Sequence, residues 1–211
     1  MAEGTQSLRE LNKLRTRELI SHVATRLFLE RGFDKVTIAE VAAAAGVAKM
    51  TVTNHFPRKE DLVLDLHEEL VTGPARVVAE RATGESALDA LRRHFFQALG
   101  RCDPVLGFSG PDFVAMLVGS PALTARFREI HEQREGALAV VLAAETHAAE
   151  DDLTPRLVAG QIITVYRVLL DEVFRRTLAG QDNESIAERL AEPARRSFDL
   201  LRPSLGDYAV R

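Results

Sequence analysis

Residues 48–59 carry side chains that can contact both the bases and the backbone of double-stranded DNA. In the major groove, lysine donates to guanine acceptors, asparagine pairs with adenine, and methionine or threonine methyl groups contact the thymine methyl. We therefore predict that the base edges are contacted by Lys49, Met50, Thr51, Thr53 and Asn54. His55 and Lys59, with Thr37 at a helix amino terminus, are placed to contact phosphates, and such contacts set register without reading sequence.

A short helix must come before these residues. Thr37 and Glu40 have the spacing of a capping box, and the apolar positions that follow recur on one face, which predicts a helix over residues 38–45. Gly46 tolerates the positive φ that closes a helix, and Val47 can anchor the turn after it.

A second short helix then carries the DNA-contacting side chains. It is predicted to begin near Ala48 and to end at Phe56-Pro57, because the residue before a proline is pushed out of the α region. Two helices joined by such a turn form a helix-turn-helix, whose second helix fits the major groove. The alternative is an αα corner in a helical protein that binds no DNA.

An apolar stripe with three-four spacing upstream predicts a third helix that packs on these two: Leu19, Ile20, Val23, Ala24, Leu27 and Phe28. With that helix included, the segment from Arg15 to Leu62 resembles the TetR family of bacterial transcriptional regulators. The family motifs ERGFD-x-x-T, IAE-x-A-x-x-AGV and HFP-x-KEDL are matched by residues 30–34 with Thr37, by residues 38–46, and by residues 55–62.

Three positions depart from the family pattern. A serine or threonine usually stands where this chain has Ala48, a small residue where it has Met50, and a tyrosine where it has Thr53. Without a hydroxyl, position 48 lacks both a helix cap and a phosphate contact. We expect the DNA contacts to differ from those of the family at these positions.

Charge separates the two parts of the chain. Residues 1–60 contain 10 Lys and Arg against 7 Asp and Glu, a net of +3, which leaves 17 against 24, a net of −7, for the rest. Only the amino-terminal part therefore has the sign that phosphates attract. Four basic residues before the helix-turn-helix can follow the DNA backbone or minor groove, although a solvated surface has the same composition: Arg9, Lys13, Arg15 and Arg17.

The whole chain is predicted to be all-α, because no strand or hairpin signal is present. We assign residues 1–62 to a helix-turn-helix DNA-binding domain with a basic amino-terminal arm, and residues 63–211 to a helical effector-binding and dimerisation domain. Gly73-Pro74 is expected to bend or break a helix and to provide a hinge, and Pro193 to kink or restart another. The predicted helices after the first domain cover residues 59–72, 74–82, 87–99, 112–118, 122–144, 155–178 and 184–201.

The helix after Pro155 is apolar around nearly its whole circumference, which indicates burial on every side. Together with the last helix it can form a four-helix bundle with a second copy, as the resemblance also implies. A homodimer places two recognition helices on a two-fold axis, which predicts a palindromic operator. The alternative is a monomer with this helix at its centre. The residues predicted at the dimer interface are Ile162, Ile163, Tyr166, Leu169, Val173, Ile186, Leu190, Ala194 and Phe198.

Aromatic and aliphatic side chains of the larger domain can line a pocket for a small-molecule effector, with His131, Arg134 or Asp171 as polar anchors. The resemblance implies a small, often apolar ligand whose binding releases DNA. The alternative is that these residues are ordinary core. The candidate pocket residues are Phe95, Phe96, Phe108, Phe113, Met116, Phe127, His131, Tyr166 and Leu170.

Other functions find little support in the sequence. The histidines lack ligand spacing, no convergent catalytic groups or phosphate loop are present, and one cysteine cannot form an internal disulfide, so we expect no metal, no cofactor and no enzyme. The longest apolar run, residues 137–144, falls short of the ~20 residues that span a membrane, which predicts a cytoplasmic protein. Two hypotheses remain: a repressor released by an effector, and a DNA-binding protein whose helical domain serves only dimerisation or protein contacts.

Overall fold

The computed structural model describes residues 8–211, and of Arg9 only the backbone. Within this range the chain is helical, and its one bridge of β type joins Ser86 to Val210. Three 3-10 turns, Phe33–Lys35, Glu60–Leu62 and Pro104–Leu106, separate some of the helices. The helices are α1 (Leu8–Arg31), α2 (Ile38–Ala44), α3 (Lys49–His55), α4 (His67–Ala79), α5 (Ala87–Gly100), α6 (Pro111–Gly119), α7 (Pro121–Glu145), α8 (Thr154–Leu178) and α9 (Asn183–Leu205). The prediction of an all-α fold is confirmed.

Contacts divide the chain into two compact units. The first unit consists of the chain up to Asp65 together with the separate segment Met116–Thr124. The second unit consists of Leu66–Ala115 and Ala125–Arg211. In the first unit, α1 packs against α2, and α2 against α3. Their apolar faces form a small core in which each of the following side chains is less than 5% exposed: Ile20, Ala24, Phe28, Phe33, Val41, Val52, Phe56 and Leu62.

The second unit is built around α5, α8 and α9. Rings from the three helices meet edge to face or tilted: the Phe95 centroid lies 5.4 Å from that of Tyr166 and 5.5 Å from that of Phe198. The hydroxyl of Tyr166 donates to the Leu91 carbonyl at 2.9 Å, so its burial leaves no unpaired donor. Fully burying each large apolar side chain contributes about 1.5–3 kcal/mol, and this aromatic centre holds the three helices together.

Of the outcomes expected at Gly73-Pro74 and Pro193, the break and the restart are wrong, and a bend or kink stays a prediction. The helix predicted to start near Lys59 begins at His67, and α4 continues through Gly73-Pro74 to Ala79. A proline inside a helix costs about 3 kcal/mol, because its ring displaces one backbone hydrogen bond. Here the buried face that contains Pro74, Ala75 and Val78 offsets that cost by packing, since α4 lies against α5.

The last helix also continues through its prolines. Pro193 and Pro203 both lie inside α9, which runs without a restart from Asn183 to Leu205. Its apolar side, with Leu190, Ala194 and Phe198 fully buried, packs against α8 and α5 on both sides of Pro193. The packing therefore supports a continuous helix where local preference favours a break.

No helix between residues 8 and 211 is both long and apolar enough to cross a membrane. The same residues contain no group of three or more His, Cys, Asp or Glu side chains arranged to hold a metal ion.

Candidate nucleic-acid interface

The capping box at the start of α2 forms as the sequence predicts. The Thr37 hydroxyl accepts from the Glu40 amide at 3.3 Å, and the Glu40 carboxylate accepts from the Thr37 amide at 2.8 Å. That amide, with the Arg31 guanidinium 2.6 Å away, lowers the pKa of Glu40 to about 2. The Thr37 hydroxyl also donates its proton to Glu40, at 2.8 Å. Its one donor is therefore occupied, and the predicted phosphate contact of Thr37 would have to displace it.

The turn between α2 and α3 closes on a left-handed glycine. Gly46 has a φ of 67°. Its amide donates to the Ala43 carbonyl at 3.2 Å, and the Val47 amide donates to the Ala42 carbonyl at 3.0 Å. This pair of bonds is the Schellman motif, which satisfies the last carbonyls of α2 and sets the direction in which α3 leaves the turn.

Helix α3 presents one buried and one exposed face. Val52 is completely buried, whereas Met50 is 68% exposed, as predicted. Lys49 and Asn54 are exposed as well, and Thr51 and Thr53 are half-buried. The structure thus brings the side chains predicted to contact bases onto one short helix. Ala48 stands at its N-cap and makes no side-chain cap, in agreement with the missing hydroxyl.

The hydroxyl of Thr53 is used within α3. It donates to the Met50 carbonyl at 3.1 Å and lies 3.7 Å from the Met50 sulfur. Because that donor is taken, the Thr53 side chain can contact a base through its methyl group or by accepting a hydrogen bond at the hydroxyl oxygen. The contact with the sulfur also places Met50 and Thr53 side by side, and both are positions that depart from the family pattern.

His55 at the end of α3 is uncharged at neutral pH. Burial, with Lys13 and Arg17 nearby, lowers the pKa of its imidazole. A neutral imidazole can donate a single hydrogen bond to a phosphate but adds no positive charge. Its predicted phosphate contact would therefore be a hydrogen bond and not an ion pair.

Lys59 is half-buried, and its ammonium is held by the first unit. Its Nζ donates to the Phe33 carbonyl at 2.6 Å and lies 4.3 Å from the centroid of the Phe33 ring. This ammonium therefore ties the segment after α3 to the turn after α1. An ammonium has three donors, so two remain for the predicted phosphate contact.

Arg17 has a structural role that the sequence reading missed. Its guanidinium donates to the carbonyls of His55 and Asp65 at 2.8 and 3.1 Å and lies 4.3 Å from the centre of the Phe56 ring. It therefore satisfies a carbonyl at the end of α3, one of the groups that every helix leaves unpaired. The partners are 38 and 48 residues away, so no local pattern reveals them.

The other basic residues before the helix-turn-helix differ from Arg17. Lys13 and Arg15 are exposed on α1. The Arg9 side chain lies outside the described residues. A role for Lys13 and Arg15 at the DNA backbone therefore stays a prediction.

The residues predicted at a dimer interface form the core of the second unit. Tyr166, Leu169 and Phe198 are 2%, 4% and 1% exposed, and the other six are 3% exposed or less. The prediction that these side chains contact a second copy is corrected, because they are buried within one chain. The apolar residues of α8 lie on two sides of the helix. One side packs on α5 and α9 of the same chain. The nine corrected residues are Ile162, Ile163, Tyr166, Leu169, Val173, Ile186, Leu190, Ala194 and Phe198.

The opposite side of α8 borders a surface groove of about 590 Å³. Leu157, Val168 and Leu200 line it and are 63%, 51% and 81% exposed. Gly160, Thr164, Glu135 and Arg156 also line it, and the Glu135 carboxylate lies close to Gly160, 3.3 Å from where a Cβ would be. We call the surface formed by Leu157, Gln161, Thr164, Val165, Val168, Leu200 and Leu201 the apolar groove.

The candidate pocket residues separate into core and partly exposed groups. Phe95, Phe108, Tyr166 and Leu170 are at most 4% exposed. Phe96, Phe113, Phe127 and His131 are half-buried, and so is Met116, which belongs to the first unit. Asp171 pairs with Arg167 at 3.6 Å and its side chain is 59% exposed, so it is not a buried anchor. Arg134, in contrast, is buried.

Comparisons with known sequences agree with this arrangement. Residues 20–66, which contain α2, α3 and the second half of α1, match the family model described as bacterial regulatory proteins, tetR family. The transcriptional regulator TcmR of Streptomyces glaucescens is 29% identical over 204 residues, which cover 94% of this chain and 88% of TcmR. The transcriptional repressor AcnR of Corynebacterium diphtheriae is 26% identical over 193 residues, 89% of this chain and 94% of AcnR.

Solved structures share the fold across most of the chain. Salmonella enterica GusR superimposes with a TM-score of 0.56 at 19% identity, covering 92% of this chain and 96% of GusR. SmeT, in a complex with triclosan, gives a TM-score of 0.58 at 16% identity, covering 92% and 94%. At such identities the likeness concerns the helical architecture.

Proposed function

The chain belongs to the TetR family of bacterial transcriptional regulators, and from this premise we propose that it is a repressor released from DNA by a small-molecule effector. Its partners in this proposal are a palindromic double-stranded DNA operator, a second copy of the chain and the effector. Action on chromosomal DNA places it in the cytoplasm. The observation that carries the proposal is the exposed face of α3, where Lys49, Met50 and Asn54 project beside a buried Val52.

The contacts of α3 support specific base readout. Asn54 is exposed near the end of the helix, where its amide can both accept from and donate to adenine. Met50 is the largest exposed apolar side chain of α3, and its contact with Thr53 gives the helix an apolar patch suited to a thymine methyl. Family members usually have a small residue at position 50 and a tyrosine at position 53. We propose that the patch formed by Met50 and Thr53 makes this protein prefer a different operator sequence.

The apolar groove supports a homodimer. Exposed leucine and valine side chains in one continuous groove are unusual on a monomer and mark contact sites. The groove lies on α8 and α9, the two helices that the sequence predicts for a four-helix bundle. A two-fold contact through it would present two copies of α3 to DNA, and the operator would then be an inverted repeat.

Selection of bound DNA from a random pool tests the operator, and Asn54→Ala tests the readout. The enriched sequences are expected to contain an inverted repeat. Loss of one bidentate base contact is expected to cost about 1–3 kcal/mol of discrimination between this operator and one changed at a single base pair. Fluorescence anisotropy on both DNAs measures it. Equal weakening on both would show that Asn54 does not read a base.

Lys59→Ala tests the phosphate contact in the same assay. If Lys59 neutralises a phosphate, the slope of log K against log salt is expected to fall by about 0.9, equally on all sequences. An unchanged slope in a folded variant would leave Lys59 with its structural role alone. Arg58→Ala, an exposed neighbour, is the matched control.

The alternative function, a helical domain that serves only dimerisation or protein contacts, draws support from the complete burial of Phe95, Phe108 and Tyr166. These three belong to a packed core and not to an open cavity wall. The effector hypothesis instead draws on polar atoms of α5 and α7 that remain unpaired inside the second unit.

A further inference from the structure

Five polar side chains of the second unit have buried atoms without hydrogen-bond partners, and two of them, His67 and Thr177, lie on α4 and α8. The other three are His94 on α5 with His131 and Arg134 on α7, and we call these three the buried polar cluster. The unpaired atoms are Nδ1 of His94, both ring nitrogens of His131, and Nε of Arg134. Most buried polar atoms in proteins are hydrogen-bonded, and each exception costs about 1–3 kcal/mol. Several exceptions in one cluster therefore indicate a missing polar partner.

Arg134 is the centre of the cluster. It is 2% exposed. No carboxylate within residues 8–211 forms an ion pair with it, and its neighbour is the Tyr166 ring, whose centroid lies 4.5 Å from the guanidinium carbon. Burial lowers the pKa of Arg134 to about 10, so the side chain stays protonated at neutral pH. Burial also raises the pKa of Tyr166, which therefore stays neutral and supplies no counter-charge.

Arg81 shows what a structural buried arginine looks like in the same unit. It is likewise 2% exposed. Its guanidinium donates to the carbonyls of Val78, Glu85 and Ala209 and forms an ion pair of 2.8 Å with Glu145. A buried charge is ordinarily paired in this way, because an isolated one costs several kcal/mol. Arg134 has none of these partners, so folding alone does not explain its charge.

The surroundings of Arg134 suit the two ends of an amphipathic molecule. Phe127 lies edge-on to His131, with ring centroids 4.7 Å apart, and its other neighbour is Phe174 at 6.0 Å. Phe127 and His131 are half-buried, so this edge of the cluster is in contact with solvent. A guanidinium binds carboxylates and similar anions through two parallel hydrogen bonds, and the neutral imidazoles can each donate one more.

We propose that the effector is an amphipathic organic anion whose acidic group pairs with Arg134 while its apolar body packs against Phe127 and Phe174. This inference rests on the proposed function in one respect, namely that binding of the ligand changes the affinity for DNA. It predicts carboxylates or comparably acidic groups on the effector, and it disfavours neutral and cationic molecules of the same shape. The binding energy would come from restoring a counter-ion to an arginine that has none.

Two fluorescent probes with the same aromatic body test the charge preference. 8-Anilinonaphthalene-1-sulfonate carries an anionic group, and N-phenyl-1-naphthylamine lacks it. Titrations use the full-length wild type, Arg134→Met, and the control Arg128→Met, an exposed arginine on the same helix. Arg134→Met is expected to weaken the anionic probe at least tenfold and to leave the neutral probe within twofold, and the control to change neither. Equal affinity of wild type and Arg134→Met for the anionic probe would overturn the proposal.

Thermal unfolding separates a binding role from a structural one. Without ligand, Arg134→Met is expected to melt at or above the wild-type temperature, because it replaces an unpaired buried charge by an apolar chain of similar length. A lower melting temperature, or failure to fold, would contradict the inference and make Arg134 a structural residue. Arg134→Lys, which retains the charge, is expected to keep part of the affinity for the anionic probe.

Operator binding distinguishes failure of this inference from failure of the proposed function. Without probe, Arg134→Met is expected to bind the selected operator within twofold of wild type. If the wild type selects no operator, the proposed function fails and the probe result is unaffected. If the operator is bound and the anionic probe is insensitive to Arg134, the inference alone fails.

Discussion

Two cations of the first unit are directed inward. Arg17 donates to the carbonyls of His55 and Asp65, and Lys59 donates to that of Phe33 while lying over its ring. Hydrogen bonds from charged donors contribute more than neutral ones, about 1.5–3 kcal/mol. These side chains therefore connect the ends of helices that are too short to be stable alone. Their positive charge still contributes to the potential that DNA meets.

Arg17→Met is expected to lower the free energy of unfolding by about 2 kcal/mol, because it leaves two carbonyls without their donor and removes the contact with Phe56. Urea denaturation followed by circular dichroism measures the change. Arg15→Met, which removes an exposed charge two residues earlier, is the control and is expected to stay within about 0.5 kcal/mol of wild type. Equal losses of unfolding free energy in the two variants would show that the contacts of Arg17 with His55, Asp65 and Phe56 do not stabilise the fold.

The half-buried His131 is expected to make the protein less stable in acid. Burial, with Arg134 and Arg167 nearby, lowers its pKa from 6.5 to about 4. The unfolded chain therefore binds the extra proton first, and the stability present above pH 6.5 falls as the pH drops toward 4, by at most about 1.4 kcal/mol per unit for this group. His131→Gln should flatten that slope in urea titrations at several pH values. His147→Gln, at an exposed position, should not.

At the scale of elements, glycines and prolines act in opposite ways. The φ of Gly46 is 67° and that of Gly107 is 93°, and each ends a helical turn that a side chain would strain. The proline at 74 was expected to bend or break a helix and the proline at 193 to kink or restart one, and α4 and α9 continue through them without a break. The difference is that a positive φ is a local necessity, whereas a missing hydrogen bond can be offset by packing.

Gly46→Ala and Gly107→Ala form a matched pair. At Gly46 a new methyl group meets nothing within 4 Å, so the expected cost is the backbone strain alone, about 1–2 kcal/mol. At Gly107 it would also come within 2.9 Å of the Phe174 ring and 3.2 Å of Leu170, so a larger loss is expected. Thermal and urea unfolding of both variants give the comparison. A Gly107→Ala variant no less stable than Gly46→Ala would contradict the close packing.

For the whole molecule, charge and exposed apolar surface indicate two kinds of partner. Residues 1–60 have a net charge of +3, and the remainder of the chain has a net charge of −7. Only the amino-terminal part therefore has the charge that attracts DNA. The apolar groove belongs to the acidic remainder and has exposed leucines and valines on α8 and α9. We therefore propose that the first unit binds DNA and that the second unit self-associates.

Leu200→Asp is expected to convert the proposed dimer into a monomer, because a carboxylate in the centre of an apolar contact would have to be desolvated without a partner. Analytical ultracentrifugation at micromolar concentration measures the mass. Val140→Asp is the control, since Val140 is 71% exposed on α7 and lies outside the apolar groove. A wild type that sediments as a monomer would contradict the dimer itself.

Most of the helix ends followed from the sequence alone. The capping box at Thr37, the left-handed Gly46 and the Phe56-Pro57 stop act within four residues, and the structure has each where it was predicted. The burial of Val52 and the exposure of Met50 also agree with the phase of α3, which is visible in its own residues.

Tertiary structure decided everything that depends on distant partners. It placed the predicted interface residues of α8 in the core and left Leu157 and Val168 outside, a choice that an all-round apolar helix does not encode. It also gave Arg81 four partners and Arg134 no counter-ion, although both arginines have acidic residues next to them in the sequence. Local preferences act between neighbouring residues, whereas packing and charge pairing join residues far apart in the chain, so only the folded structure shows them.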